Sequence, residues 1–146
     1  MSEHRPGVVP ALLKDPYADE YAQPFWDAAL DGRLSVPKCT RCGTFRLPPG
    51  PFCFECRHQE VEWVDLPGTG TIYTFTIVRH PLRPDLQNVV PYVAAVVELA
   101  GTQGAGARMT VNVIDCDPDQ VAIGDKVRIR WEKVSDTFAV PRFAPA

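Results

Sequence analysis

Apolar and polar side chains alternate along most of the second half of the chain. The clearest run spans residues 126–132, where Val127, Ile129 and Trp131 are separated by charged residues. A period of two places successive side chains on opposite faces of a β-strand, so this run predicts a strand with one buried face. Short apolar or alternating segments of the same kind occur at residues 61–64, 71–78, 92–99 and 108–114.

Turns rich in glycine and proline separate these five predicted strands, and no helical pattern lies between them. Such a succession is typical of a small closed antiparallel barrel, and glycine-rich corners make an OB-fold the best match. Tyr73, Phe75 and Trp131 fit the core of this barrel by their alternation. The same rings on an exposed barrel face would suit the stacking of nucleic-acid bases.

Only residues 17–32 carry a convincing helical pattern. Pro24 suits the first turn of a helix, and Gly32 suits its end. Phe25 and Trp26 each have an apolar residue four positions later, which gives the helix one apolar face. So short a helix needs a surface to pack on, either within its own domain or on a partner protein anchored by Phe25 and Trp26.

Four cysteines form two closely spaced pairs, Cys39-x-x-Cys42 and Cys53-x-x-Cys56. Four thiolates that converge on one point suit a tetrahedral structural zinc ion, and such a closed site leaves no position for a substrate. Iron of the rubredoxin type is an alternative, because it accepts the same sulfur cage. Disulfides are the other alternative, but they need an oxidising compartment, and we find no secretory signal before them.

These patterns divide the chain into three expected parts. Residues 1–16 contain three prolines and no clear period, which indicates a tail. Residues 17–58 hold the helix and the cysteine module. Residues 59–146 are expected to form the barrel, with a proline-containing extension at the C-terminal end.

Composition narrows the classes of function. Fifteen basic and eighteen acidic residues give a net charge of −3, whereas nucleic-acid binders usually show a basic excess. No segment approaches the roughly 20 consecutive apolar residues that a membrane span requires. We therefore expect a soluble cytoplasmic protein that does not bind membranes, and the charge balance disfavours nucleic-acid binding.

Positive charge is concentrated around the cysteines. Residues 33–58 contain five basic side chains and one acidic side chain, a net charge of +4. Arg41 and Arg46 either offset the charge of the metal–thiolate cluster or contact the phosphates of coenzyme A or an acidic partner. Arg79 and Arg83, in a proline-rich loop, are further candidates for such contacts.

The order of several motifs along the chain resembles that of a known family. These motifs are Pro24-Phe25-Trp26, the two cysteine pairs with Gly43 and Pro48-Pro49 between them, Trp63, Gly68-x-Gly70, Ile72-Tyr73-Thr74-Phe75-Thr76, Pro91-Tyr92 and Ile123-Gly124. From about residue 20 onward, the chain is similar to the acyl-CoA-associated zinc-ribbon/OB-fold family, a former domain of unknown function. One departure is Arg57, which stands where many members have a glycine.

The resemblance implies a mainly β fold, with an N-terminal helix, a rubredoxin-like zinc ribbon and a five-stranded OB-fold barrel. It also implies a non-catalytic accessory subunit in a hetero-oligomer. The partner would be a thiolase-fold enzyme, a thiolase or a retro-aldolase, acting on acyl-CoA thioesters, with steroid side-chain degradation as one setting. The alternatives are a nucleic-acid-binding zinc-ribbon/OB module and a rubredoxin-like electron carrier. No catalytic residue is predicted, since none of the three histidines lies in a recognisable motif and Cys116 has no base near it in sequence.

Overall fold

The computed structural model describes residues 5–11, 17–102 and 106–146. One helix, α1 (Gln23–Leu30), precedes seven strands and two short 3-10 turns. The strands are β1 (Leu34–Cys39), β2 (Val61–Leu66), β3 (Thr69–Val78), β4 (Tyr92–Leu99), β5 (Arg108–Val113), β6 (Lys126–Ser135) and β7 (Phe138–Pro145).

Five of these strands close into a barrel in the order β3-β4-β5-β7-β6, while β1 and β2 form a separate two-stranded sheet. The mainly β fold with a five-stranded barrel is thus confirmed. On β4, Val93, Ala95 and Val97 are buried at every second position, so the period of two directs them to the barrel interior. Phe143 of β7 is fully buried in the same core.

The prediction of which five strands form the barrel was wrong in two places. Residues 61–64 belong to β2, which pairs with β1 from Leu34↔Leu66 to Cys39↔Val61 and so lies in the ribbon. Alternation shows that a segment has a buried face, but it does not identify the partner strand. This pairing favours a change from ribbon to barrel at the turn after Leu66, later than the expected boundary at residue 59.

The second error concerns β7, which was expected to be a proline-containing extension and instead closes the barrel. Proline within a run usually marks the end of a strand or an edge strand. Strand β7 pairs along its length with β6 but meets β5 only at Val113↔Phe143. Within the described ranges, most of β7 therefore has no strand paired to its second edge, where Pro141 is tolerated.

Tyr73 was expected in the core but is 50% exposed, whereas its neighbour Ile72 is 1% exposed. The register between β3 and β4 shifts between Ile72 and Thr74. This irregularity inserts one residue and moves the inward positions from Ile72 to Phe75. On the outside of the barrel, the Arg108 guanidinium lies 3.7 Å from the centroid of the Tyr73 ring.

Helix α1 joins the ribbon to the barrel. Phe25, Ala28 and Ala29 are buried, and the ring of Trp26 lies 4.9 Å from that of Phe138 on β7. The helix therefore packs on its own chain, which was one of the two possibilities that the sequence left open. It is shorter than the predicted segment, and Leu30 is 39% exposed instead of lying on the packed face.

Residues 5–11, part of the predicted tail, lie along the barrel; we call this segment the strap. The Gly7 amide donates to Val89 O at 2.8 Å. The Asn112 side chain makes two hydrogen bonds to the backbone of the strap. Its Nδ2 donates to Gly7 O, and its Oδ1 accepts from the Val9 amide, each at 3.0 Å. The remaining tail residues, 1–4 and 12–16, lie outside the described residues. Among the described residues, no helix is long and apolar enough to span a membrane.

Candidate metal centre

The ribbon brings the two cysteine pairs together. The Sγ atoms of Cys39, Cys42, Cys53 and Cys56 all lie within 4.8 Å of one another. The Cys39–Cys56 and Cys42–Cys53 sulfur pairs are 3.6 and 3.5 Å apart. A tetrahedral zinc ion with Zn–S bonds of about 2.3 Å requires sulfur atoms about 3.8 Å apart. The four thiols are thus placed to hold such an ion with little adjustment.

Each cysteine pair forms the same backbone turn. The Gly43 amide donates to Cys39 O at 3.0 Å, and the Arg57 amide donates to Cys53 O at 2.9 Å. Both residues have positive φ, 77° at Gly43 and 66° at Arg57. Arg57 therefore keeps the turn in which a glycine is usual, at the modest cost of a left-handed conformation for a side chain.

These turns direct backbone amides at the sulfur atoms. The amides of Cys42 and Arg41 lower the pKa of the Cys39 thiol to about 6. The corresponding amides of Cys56 and Glu55 lower the pKa of Cys53. Hydrogen bonds of this kind favour the thiolate, which is the form that binds metal.

Cys56 shows why the cluster favours a cation. The His58 amide lowers its pKa, but burial and the adjacent thiols of Cys42, Cys39 and Cys53 outweigh that effect and raise it to about 11. Four closely packed sulfur atoms cannot all become thiolates without a positive charge between them. A divalent ion supplies that charge.

Arg46 was a candidate for contact with a partner or coenzyme A, but the structure gives it an internal role. The residue is 4% exposed. Its Nη1 donates to Gly50 O at 2.7 Å and its Nη2 to His58 O at 2.9 Å. Arg46 thereby joins the segments before and after the second cysteine pair. Sequence analysis could not show this, because burial of an arginine depends on the fold around it.

Phe25, another candidate for partner contact, is also internal, since it is 6% exposed and belongs to the hydrophobic core. Trp26 is partly buried. Arg79 pairs with Asp119 at 2.5 Å, Arg83 pairs with Asp85, and Arg41 is exposed. A role for Trp26 and these three arginines in binding a partner or coenzyme A stays a prediction.

Two aromatic residues of the ribbon were missed by the sequence analysis. Phe52 and Phe54 flank Cys53 and are 53% and 59% exposed, while Cys53 is 1% exposed. Their positions on either side of a predicted metal ligand were the available signal. A ligand that points inward leaves its neighbours to point outward.

Comparison with family models finds the same two kinds of domain in the chain. Residues 26–62 match the ChsH2 rubredoxin-like zinc ribbon domain, and residues 63–132 match the ChsH2 C-terminal OB-fold domain. The two matches meet within β2, the strand that pairs with β1 in the ribbon. The chain therefore carries a zinc ribbon, and its four clustered cysteines are the residues placed to bind the ion.

Known proteins share both parts. A DUF35 domain-containing scaffold protein of Methanothermobacter thermautotrophicus is 36% identical over 104 residues, which cover 70% of this chain and 74% of that protein. A probable enoyl-CoA hydratase alpha subunit of Thermomonospora curvata is 36% identical over 123 residues, 84% of this chain. The matched region spans only 37% of that subunit.

A solved structure described as the Ltp2-ChsH2(DUF35) aldolase contains a similar chain. The TM-score is 0.76 with 32% sequence identity, and the match covers 90% of this chain and 98% of that one. The likeness extends over the helix, ribbon and barrel, which confirms the resemblance drawn from the sequence motifs. On these family models and relatives, the chain belongs to the DUF35 family and combines a ChsH2-type zinc ribbon with an OB-fold.

Proposed function

We propose that the chain is a non-catalytic accessory subunit of a thiolase-fold enzyme, a thiolase or a retro-aldolase, that acts on acyl-CoA thioesters. The observation that carries the proposal is the likeness to the DUF35 chain of the Ltp2-ChsH2 aldolase, which covers 98% of that chain. The relatives named as a scaffold protein and as a hydratase alpha subunit support the same class of role. A steroid side chain as the acyl group is supported by a relative 32% identical over 107 residues, the 3-oxo-4,17-pregnadiene-20-carboxyl-CoA hydratase alpha subunit of Mycobacterium tuberculosis.

The chemistry of the described residues supports a non-catalytic role. A metal ion held by four thiolates has no open coordination position for a substrate. Burial, followed by the charges of Asp115 and Asp117, raises the pKa of the Cys116 thiol, which disfavours the nucleophilic thiolate. His58 Nε2 lies 3.0 Å from Oγ1 of Thr40, a residue of the first cysteine turn.

Co-expression with candidate thiolase-fold enzymes from the same genome tests the proposal. We expect the two proteins to elute together as a hetero-oligomer in size-exclusion chromatography, with the enzyme more soluble and more active than when expressed alone. Activity is measured as cleavage of an acyl-CoA thioester. If the proteins elute separately and the enzyme is fully soluble and active alone, the proposal is wrong.

A further inference from the structure

A cleft of about 440 Å³ is lined by residues of the strap and of strands β6 and β7. Its size falls within the range of roughly 300–1,000 Å³ that is usual for sites that bind small molecules. Three arginines, Arg5, Arg130 and Arg142, line it together with a single carboxylate, that of Glu132, and the other lining residues are apolar. We call it the arginine cleft.

Two of these arginines lie opposite each other on neighbouring strands. Arg130 of β6 is in register with Arg142 of β7, and residues directly opposite on one face of a sheet have Cβ atoms about 5 Å apart. Like charges at such positions repel each other and destabilise the pair of strands. This arrangement is therefore unfavourable unless anionic groups lie close enough to offset both guanidinium charges.

Carboxylates of the chain offset only part of this positive charge. Glu132 accepts a hydrogen bond from Arg142 Nε at 3.0 Å, and Asp115, from the neighbouring cleft, lies 3.7 Å from Arg5. Within the described part of the chain, the Arg130 side chain has neither an ion pair nor a hydrogen bond. Three arginines and two carboxylates leave a net charge of +1, and the unmatched charge is that of Arg130, which is exposed.

Arg142 is fixed in position by the protein around it. The residue is 7% exposed, and its guanidinium donates three hydrogen bonds, to Glu132 Oε2, Asn112 Oδ1 and Val9 O. A guanidinium carries five N–H groups, so two of them have no acceptor among the residues that the structure describes. An anion in the cleft can accept from these groups without a rearrangement of the side chain, and little conformational entropy is then lost on binding.

We propose that the arginine cleft binds a small organic phosphate. The several oxygen atoms of a phosphate can accept from Arg130 and Arg142 at once, and arginine forks match its geometry. A carboxylate has two oxygens and pairs with one fork, so it would leave one of these two arginines unmatched. The apolar walls formed by Val8, Ile114 and Trp131 accommodate the organic part of the molecule. This binding site lies on the barrel and goes beyond the proposed accessory role.

A matched pair of substitutions tests the proposal. Arg130→Gln removes the unmatched guanidinium from the cleft, while Arg128→Gln removes the same charge two residues earlier on β6, outside the residues that line the cleft. Both side chains are exposed, so both variants are expected to fold as the wild type does. The probes are phenyl phosphate, inorganic phosphate and phenol. Each is titrated into the zinc-loaded full chain at constant ionic strength, and the Kd is obtained from the shifts of backbone amide signals in NMR spectra.

We expect phenyl phosphate to bind the wild-type chain and to shift the amide signals of Val8 and Ile114, which line the cleft. Arg130→Gln is expected to weaken this binding at least fivefold, and Arg128→Gln is expected to leave the Kd within twofold, although the two variants have the same net charge. Inorganic phosphate is expected to bind more weakly than phenyl phosphate, because it has no apolar part. Phenol, which has no anionic group, is expected to show no saturable binding.

Three results would each overturn the proposal. If neither phosphate binds the wild-type chain, the cleft is not an anion site. If Arg128→Gln weakens binding as much as Arg130→Gln does, the anion is attracted by the overall charge of β6 and not by the cleft. If inorganic phosphate binds as tightly as phenyl phosphate, the ligand is the free ion and the apolar walls take no part. The proposed accessory role is tested separately by co-expression and stands or falls independently of these results.

Discussion

At Gly70 the barrel has space for a hydrogen atom and nothing larger. A Cβ at this position would lie 2.5 Å from Val97 Cγ1 and 2.7 Å from Glu98 O. The oxygen belongs to the backbone of β4, which is fixed by its pairing with β3 and cannot move aside as a flexible side chain can. Glycine at the second position of β3 is therefore required by packing.

Gly70→Ala is expected to destabilise the protein by about 1–3 kcal/mol, the usual cost of overpacking a core. Gly50→Ala is the matched control, because a Cβ at Gly50 meets nothing within 4 Å. Urea unfolding of both variants, saturated with zinc, measures the difference. Equal stability of the two variants would show that β3 and β4 can separate enough to accept a methyl group.

Arg46 joins the segments on either side of the second cysteine turn through Gly50 O and His58 O. Arg46→Lys keeps the charge but cannot reach Gly50 O and His58 O together, because an ammonium lacks the guanidinium fork. His58, one of these two partners, supplies the amide that bonds the Cys56 sulfur. We therefore expect zinc affinity to fall roughly 10–100-fold, the size of effect that follows loss of the groups supporting metal ligands, and zinc to pass faster to a chromogenic chelator. Arg41→Lys, at an exposed position of the first turn, should release zinc at the wild-type rate, and matching rates for all three proteins would contradict this role.

The metal centre was the part of the molecule most accessible to sequence analysis. The spacing within each cysteine pair encodes a local turn, and the structure shows that turn twice, at Gly43 and at Arg57. For Arg46 and Phe25 the sequence left an internal role and a partner contact both open, because their burial depends on how the ribbon and the helix pack in the folded chain. Phe52 and Phe54 were missed for the opposite reason, since an apolar residue is normally assumed to be buried.

At the scale of elements, the ribbon is a two-stranded sheet with a metal-binding end. Six residue pairs join β1 to β2, from Leu34↔Leu66 to Cys39↔Val61. An isolated pair of strands is marginally stable in water. The ribbon therefore depends on the metal ion at one end and on α1, which packs against β1.

Cys39→Ser is expected to remove the metal and unfold the ribbon, because structural zinc contributes on the order of 10–16 kcal/mol of apparent binding free energy in small peptides. Cys116→Ser is the control, since Cys116 lies outside the cluster. Elemental analysis and thermal melting are the measurements. A Cys39→Ser variant that keeps its metal and its melting temperature would contradict the assignment of the metal site. A red, iron-containing wild-type protein would show that the bound metal is rubredoxin-type iron instead of zinc.

The positions of the strands in the sequence were predicted well, but their pairing was predicted less well. All five predicted segments are strands, but β2 pairs in the ribbon and β7 was taken as an extension. The extra residue at Tyr73 exchanged the inward and outward positions within β3. Hydrophobic period reports local burial, whereas pairing and bulges are decided by contacts between segments distant in sequence.

In the whole molecule, α1 connects the two parts. The rings of Trp26 and Phe138 are 4.9 Å apart, and those of Phe25 and Trp131 are 6.5 Å apart. Aromatic contacts at these distances stabilise beyond the area they bury. They couple the position of the zinc ribbon to that of the barrel.

Trp26→Ala is expected to weaken this coupling at a cost of about 2–3 kcal/mol, below the value for a fully buried tryptophan because Trp26 is only partly buried. In calorimetry we expect the single unfolding transition to broaden or divide into separate transitions of ribbon and barrel. Leu30→Ala, on the exposed side of the same helix, should leave the transition sharp. A sharp transition in both variants would show that the ribbon and barrel remain coupled without this contact.

The strap has a consequence for the order in which the barrel is completed during translation. Its Val9 amide binds Asn112, 103 residues later in the chain, and its Val9 carbonyl accepts from Arg142, 133 residues later. The strap therefore leaves the ribosome before the other described segments, but it cannot complete its contacts until β7 has been synthesised. Because β5 and β7 meet at a single residue pair, the seam that the strap helps to seal stays open in every nascent chain until β7 has emerged.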